Sequence, residues 1–557
     1  MLPHLLSLAS LLLGASATSC KTSPSDASWP TTAQWSSLNS TVSGRLLSTI
    51  PIASVCHHGP LGSYNSTACA ALQAAWSSAW THQSHPSSIM SPLFTNRTCL
   101  PSTPSTGAEG ECTLGYYPAY VLNVSSVADV QAGVNFARAH DLRLVVKNTG
   151  HDFFGKSTGR DALSLWTHWL RSIEFESYSG VPAVRVGAGV STVSVYEAAA
   201  AVGRVVVGGE QPSVGFAGGY VAGGGHSPLT SRYGMAADQV LEMTVVTADG
   251  VVRRCARDEN GELFWALRGG GGGVFAVVVE VVVKTHADGM VTTMPLQFAT
   301  EDTEAFWAAV RQFFALTPRL GALGVYSYNN IMPGSFSSTP VLAPNMSAAG
   351  LYTELAPLYA TLREHNITYS ANATEYPRFL DAWRNSFPTE VAGIMSGSVS
   401  RLVPTAVLTN STTLDTFMDA YRAATDELYY FAVFGISPPP GSEGEQGNAV
   451  NPAWRRAGMH ILAGYLIPEN STEHQVVKQR DWANEVFQPV RDATKGAGCY
   501  QSEAALTEPD WQTAFHGTNY ERLLQVKHTW DPTGLFYATK GVGSEEWEVE
   551  DGRLCQV

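Results

Sequence analysis

The sequence predicts an α+β protein of two domains: a mixed α+β unit, then an antiparallel sheet covered by helices. Three observations carry that prediction. From about residue 113 to 288, apolar runs of strand length alternate with segments of helical period. Beyond residue 288, amphipathic helices with one aromatic-rich face take over. Glycine-rich blocks at Gly208–Gly250 and Glu262–Val281 interrupt the first region where tight loops are required.

Residues 1–17, MLPHLLSLASLLLGASA, read as a secretory leader. The apolar run Leu5–Leu13 is too short to span a bilayer, and Ala15-Ser16-Ala17 is a small-x-small cleavage pattern. N-x-S/T sequons at Asn39, Asn65, Asn96, Asn123, Asn345, Asn366, Asn372, Asn410 and Asn470 agree with export and predict a glycoprotein. The run Val274–Val283 is about half the length a membrane helix needs and carries Glu280, so it predicts a buried strand and no membrane partner. A net charge of -14 argues against nucleic acid, because phosphates repel an acidic surface. The chain is expected to act as a monomer.

Residues 18–112 form an extension rich in Ser, Thr and Pro, holding five of the eight cysteines. In an oxidising compartment these predict local pairs Cys56–Cys69 and Cys99–Cys112. The triplet Cys56-His57-His58 has no second ligand cluster at zinc spacing, so no metal is expected. In the first domain, residues 113–288, Ser126 and Asp129 form a capping box before Val127, Val130 and Val134. Leu142–Lys147, Ala183–Gly189 and Val205–Val207 read as strands, with a helix near Val193–Val202 ended by Gly203. In the second domain, residues 289–490, Phe306, Trp307, Val310, Phe313 and Phe314 share one helical face; Leu414, Phe417, Met418 and Tyr421 share another. Ser437–Pro452 reads as a surface loop within this domain. Residues 491–557 form a C-terminal segment.

The stretch Leu144–Gly159, LVVKNTGHDFFGKSTG, places His151 in a tight turn straight after a strand. Glycine lets backbone amides approach a ligand, and successive amides form an anion nest suited to a pyrophosphate. No GxxxxGK[ST] occurs, and no GxGxxG follows the first strand. On composition alone, a dinucleotide site and tightly packed glycine loops both stay open. No G-x-S-x-G elbow is present, which removes a serine-hydrolase reading.

The order of four blocks decides between them: Leu144–Gly159, Gly208–Gly250, Glu262–Val281 and Gly517–Phe536. Together they closely resemble the vanillyl-alcohol-oxidase-type flavoproteins, in their berberine-bridge-enzyme-like branch. Within it, they are similar to secreted fungal members labelled isoamyl alcohol oxidases. The resemblance implies the two-domain PCMH-type fold and FAD. In that family an [RK]-x-x-G-H loop carries a histidine bonded to the flavin; here it is Lys147-Asn148-Thr149-Gly150-His151, followed by Asp152. Many relatives attach flavin a second time through a cysteine, where Gln211 stands here, so a single link is implied. Val214 matches an oxygen gatekeeper and Gly215 its neighbour. Gly223-Gly224-Gly225-His226 matches an element under the flavin, and Asn519 a further flavin contact. Asp238, Phe264, Trp265, Arg268, Lys527 and Asp531 read as scaffold.

The resemblance implies hydride removal from an alcohol carbon or a secondary metabolite to FAD, then to O2 with release of H2O2. Tyr500 matches the family's base, with His226 lowering its pKa and Glu503 as the other base. Asp152 is a remote third. An FAD-linked dehydrogenase or cyclising oxidase, a carbohydrate oxidase and a non-enzymatic binding glycoprotein are the alternatives.

Overall fold

In a computed structural model, residues 19–101, 112–389, 391–444 and 447–557 are described. The leader at 1–17 lies outside them.

The first domain carries two sheets. One places strands in the order Leu46–Ser48, Tyr120–Asn123, Leu163–Trp166, Leu144–Lys147, with the last three mutually parallel. The extension thus donates an edge strand to the unit it precedes. Helix Val127–Ala139 covers this sheet, capped at Ser126 with Asp129 completing the reciprocal box. The other sheet is antiparallel, in the order Ile173–Tyr178, Val181–Gly187, Val277–Lys284, Val240–Val246, Val252–Ala256. Its central strand VVVEVVVK is apolar along nearly its whole length because both faces are covered, which leaves Glu280 to pair with Arg185. Helix Thr192–Ala201 ends before Gly203 as expected. The expected strand at Val205–Val207 shrinks to Arg204–Val205, because its only partner is the two-residue His286–Ala287.

The second domain is an eight-stranded antiparallel sheet. Its path runs Tyr369–Ala371, Val291–Ala299, Ser335–Pro344, Tyr326–Met332, Tyr430–Gly435, Ala457–Leu466, Ser396–Pro404, with Thr374–Tyr376 also on Val291–Ala299. Helices Thr303–Ala322, Ser411–Thr425 and Glu473–Ala493 cover one face and bury Phe306, Val310, Phe313, Phe314, Phe417 and Tyr421. Full burial contributes about 1.5–3 kcal/mol for each large apolar side chain, so this layer fixes the sheet. The sheet's opposite face turns toward the first domain.

Ser437–Pro452 is not simply a surface loop. Asn448, Ala449, Val450 and Asn451 are buried. Arg268 donates to the Gly447 carbonyl at 2.8 Å, and Asp238 accepts from Asn448 at 2.6 Å and from Arg455 at 2.7 and 2.9 Å. Polar side chains here satisfy one another, and composition alone could not reveal that they point inward.

Cys56–Cys69 and Cys99–Cys112 are bonded as expected. A third bridge joins Cys20 to Cys555, and Cys255 and Cys499 are free and buried. Among the described residues no helix is long and apolar enough to cross a membrane.

Candidate active site

A cavity of about 750 Å³ lies between the first domain and the open face of the eight-stranded sheet. That volume falls in the upper part of the range small-molecule sites occupy, about 300–1,000 Å³.

The His151 loop forms part of its wall, and local packing sets its course. Strand Leu144–Lys147 ends with Lys147 directed away from the cavity, its ammonium donating to the His85 carbonyl at 2.8 Å and standing 5.3 Å over the Trp166 ring. Burial pushes the Lys147 pKa down to about 7. Trp166 Nε1 donates to the Asn148 carbonyl at 3.2 Å. Gly150 has φ +89°, and a Cβ there would meet the Ile89 backbone at 3.0 Å. The Met90 amide closes this contact, donating to the Gly150 carbonyl at 3.2 Å. Asp152 then accepts from the Phe154 and Lys156 amides at 2.9 and 2.8 Å and pairs with the Lys156 ammonium at 3.2 Å. His151 is left facing the cavity, with Nε2 2.7 Å from Ser213 Oγ. Burial, then the charges of His82 and Lys147, push its pKa down to about 3, so the ring is neutral.

Thr149, Gly150, His151, Asp152, Val214 and Gly215 line the cavity with Asn148. Lys147, Gly224, Gly225 and Asn519 do not. Lys147 serves the extension, and Gly224 packs near Val450. A Cβ at Gly225 would meet Ala236 at 2.8 Å, so this glycine is needed for close packing rather than ligand approach. Asn519 donates to the Val450 carbonyl at 3.1 Å and braces the 448–451 segment.

At the cavity's other end, a turn in which the Glu503 amide donates to the Tyr500 carbonyl sets both side chains beside His226. Ser398 Oγ donates to the Ala504 carbonyl at 2.9 Å and ties the turn to the sheet. His226 Nε2 lies 3.0 Å from one Glu503 oxygen, and His460 Nε2 lies 2.9 Å from the other. His226 Nδ1 stands 3.3 Å from Glu210, an ion-pair contact without the alignment of a hydrogen bond. Tyr326 donates its hydroxyl to that same Glu210 oxygen at 2.8 Å. Burial opposes charge on His226, yet Glu210 and Glu503 raise its pKa well above the ordinary value. Burial likewise opposes charge on Glu503, but His226 and His460 hold its carboxyl well below the usual range. His460 is lowered by burial despite Glu503.

The cluster does not lower the pKa of Tyr500, the expected base. Tyr500 is buried and its pKa is raised, by burial first and by Glu503 next. The imidazolium of His226, expected to lower it, spends its charge on the two carboxylates. Its ring meets Tyr500 edge-on at 5.3 Å between centroids.

Glu210, Ser213, Asn330 and His460 were not singled out in the sequence. Glu210 stands one position before Gln211, inside the glycine-rich block. His460 had a signal: it is the one imidazole, with no Asp, Glu, Lys or Arg beside it, in the apolar strand Ala457–Leu466.

A family model described as FAD binding domain matches residues 118–256, and one described as Berberine and berberine like matches 499–543. The bifunctional decalin synthase calF of Penicillium decumbens is 38% identical over 570 residues, covering 99% of this chain and 98% of that protein. The VAO-type flavoprotein oxidase VAO615 of Thermothelomyces thermophilus is 38% identical over 560 residues, covering 97% and 95%. This chain belongs to the VAO/berberine-bridge-type FAD-linked oxidoreductases. The crystal structure of VAO-type flavoprotein MtVAO615 from Myceliophthora thermophila C1 matches with a TM-score of 0.90 at 36% identity, covering 97% of this chain and all of that one.

The residues of this oxidoreductase fit FAD. Both polar atoms of the Asn148 side chain are buried without a partner at the cavity wall, so they await a polar ligand. Gly218, Gly219 and Gly273 also line the cavity, and a Cβ at any of them would meet open space rather than protein. A surface of backbone amides and one unsatisfied amide suits a diphosphate and a heteroaromatic ring edge.

Proposed function

We propose that this chain is a secreted alcohol oxidase that carries FAD on His151 alone and delivers electrons to O2, giving H2O2. One observation carries the reading: the neutral His151 imidazole and the Glu503–His226 pair open into the same cavity. Bound FAD supplies the acceptor for the hydride leaving the alcohol carbon.

The chain's own groups do the rest. Asn148, Thr149, Gly150, Val214, Gly215, Gly218, Gly219 and Gly273 hold the cofactor. Ser213 fixes the orientation of the His151 ring. Glu503, ionised and reaching the cavity, takes the hydroxyl proton. His226 and His460 hold both carboxylate oxygens in place, and Tyr500, which stays protonated, orients the substrate oxygen as a donor. Gln211 lines the cavity with its amide on the Pro388 carbonyl at 3.2 Å, which supports a single attachment. Val214 at the wall and the similarity to VAO615 favour the oxidase over the dehydrogenase. The leader, the sequons and three disulfides support secretion.

Mass spectrometry of tryptic peptides tests attachment: a flavin adduct is expected on the His151 peptide and on no other. Anaerobically reduced enzyme mixed with O2 tests the acceptor: rapid reoxidation with one peroxide per flavin is expected. Folded protein made with ample riboflavin, yet unmodified at His151 and slow with O2, overturns the proposal. The similarity to a decalin synthase favours a second reading, a cyclising FAD enzyme of secondary metabolism, which a ring-closed product would distinguish.

A further inference from the structure

The cluster around Glu503 has the donor set of a metal site. His226 Nε2, His460 Nε2 and the Glu503 carboxylate lie within 4.8 Å of one another. Each imidazole approaches a separate carboxylate oxygen, at 3.0 Å for His226 and 2.9 Å for His460. Two imidazoles and a carboxylate are ligands that Zn2+ takes, at bond lengths of about 2.0–2.2 Å. Tetrahedral bonds of that length set neighbouring donors about 3.3 Å apart, so each N···O contact would widen by roughly 0.3–0.4 Å to admit the ion. No ligand spacing announces the set in the sequence, because 277 and 43 residues separate Glu503 from the two imidazoles.

The donors are held in place by the fold. His460 sits inside strand Ala457–Leu466, with Phe434 opposite it on one neighbouring strand and Leu402 on the other. Ser398 ties the turn that carries Glu503. His226 has the partner that metal-bound imidazoles keep: Glu210 stands 3.3 Å from its Nδ1, and Tyr326 fixes that carboxylate at 2.8 Å. A proton retained on Nδ1 by Glu210 leaves the Nε2 lone pair for a metal. His460 brings no such carboxylate, its Nδ1 being buried without a partner, and is the weaker imidazole ligand.

Charge points the same way. Glu210 and Glu503 face one imidazolium, which leaves a negative charge unmatched. A dication in place of the His226 Nε2 proton brings the cluster to neutrality. Lys156, the one Lys or Arg among the described lining residues, is paired with Asp152 and does not reach this end. Glu503 and His226 line the cavity and His460 does not, so the remaining coordination position faces the cavity.

We propose that His226, His460 and Glu503 form a Zn2+ site, open to the cavity at its fourth position, that stops oxidation when filled. The ion occupies the carboxylate that otherwise takes the hydroxyl proton, so the metal-free cluster is the working form. The site stands on the geometry alone; its effect on turnover rests on the alcohol-oxidase reading above.

Equilibrium dialysis of tag-free, chelator-washed holoenzyme against Zn2+ at about 10 µM tests the site. A single retained ion per chain is expected. His460→Gln and Glu503→Gln should each weaken binding at least about a hundredfold, since the loss of a group behind a ligand already costs about 10–100-fold. Glu210→Gln, behind His226, should weaken it about tenfold. Bound flavin and melting temperature show which variants are folded. Co2+ in place of Zn2+ should give the unaltered enzyme the visible bands of a four-coordinate ion, to the red of the flavin, and His460→Gln should lack them. No retained Zn2+, no such bands in the unaltered enzyme, or an ion held equally by all three variants overturns the proposal. Zn2+ should also slow flavin reduction under nitrogen at least about a hundredfold, reversed by a chelator. Zn2+ bound at these residues with flavin reduction unchanged keeps the metal site, overturns the inhibition and removes Glu503 as the base.

Discussion

His226 Nε2 lies 3.0 and 3.2 Å from the two oxygens of Glu503, so a single imidazole nitrogen faces the whole carboxylate. With His460 on the second oxygen, this carboxyl is held ionised and aimed into the cavity. Tyr500, a turn away, is held protonated instead.

Glu503→Gln should therefore slow flavin reduction by at least about a hundredfold, the lower end of what a positioned base contributes. Tyr500→Phe should cost less than about tenfold, the scale of one lost orienting hydrogen bond. Stopped-flow absorbance under nitrogen reads both. A hundredfold loss in Tyr500→Phe beside a mild Glu503→Gln would restore the tyrosine as base.

The same cluster fixes a pH response. His226 has a folded-state pKa raised above its unfolded value, so the stabilisation from its charge is complete below about 6.5 and fades only as pH rises through the folded value. Glu503 is depressed, so its contribution is complete above about 4.5 and fades as pH falls through its folded value. From pH 5 to 8 the flavin-reduction rate should then carry no ionisation of this cluster centred near 6.5, as a free imidazole would give, and any step from Lys147 near 7 should vanish in Lys147→Met. A break there would show His226 titrating alone.

Arg455→Met should destabilise the fold by about 3–5 kcal/mol, because it strands the buried Asp238 carboxylate. Asp238 is depressed in the folded chain, despite burial, by Arg455 and Asn448. Its contribution is present above the unfolded value near 3.8 and is lost as pH falls through the folded one. The melting-temperature gap between Arg455→Met and the unaltered protein should be widest at neutral pH and close in acid. A gap that does not change with pH would assign the loss to packing instead.

Gln211→Cys places a thiol on the cavity wall, at the position that the sequence resemblance matches to a second attachment cysteine. Peptide mapping should find a second flavin link at position 211, with His151 still modified. An unmodified Cys at that position would mean that the Pro388 segment holds the side chain off the cofactor.

Much of this was legible in the sequence, and the limits were physical. The His151 loop was readable because a strand, a glycine and a histidine at fixed spacing leave few conformations. Helices such as Thr303–Ala322 were readable because their apolar period is local. Lys147, Gly224, Gly225 and Asn519 do not line the cavity, since a motif fixes chain position and not side-chain direction. The Glu210–His226–Glu503–His460 cluster joins residues 293 positions apart, from 210 to 503, and only the packing of three loops against the strand that carries His460 brings its members together. Nor could spacing reveal that residues near His82 and Met90 clamp the His151 loop, because that contact follows from how the extension wraps the domain.

The Cys20–Cys555 bridge spans a sequence separation of 535 residues. Its second thiol leaves the ribosome after the regions that build both domains. The covalent ring that encloses both domains can close only once they have been synthesised, so this bond locks in an arrangement reached without its help.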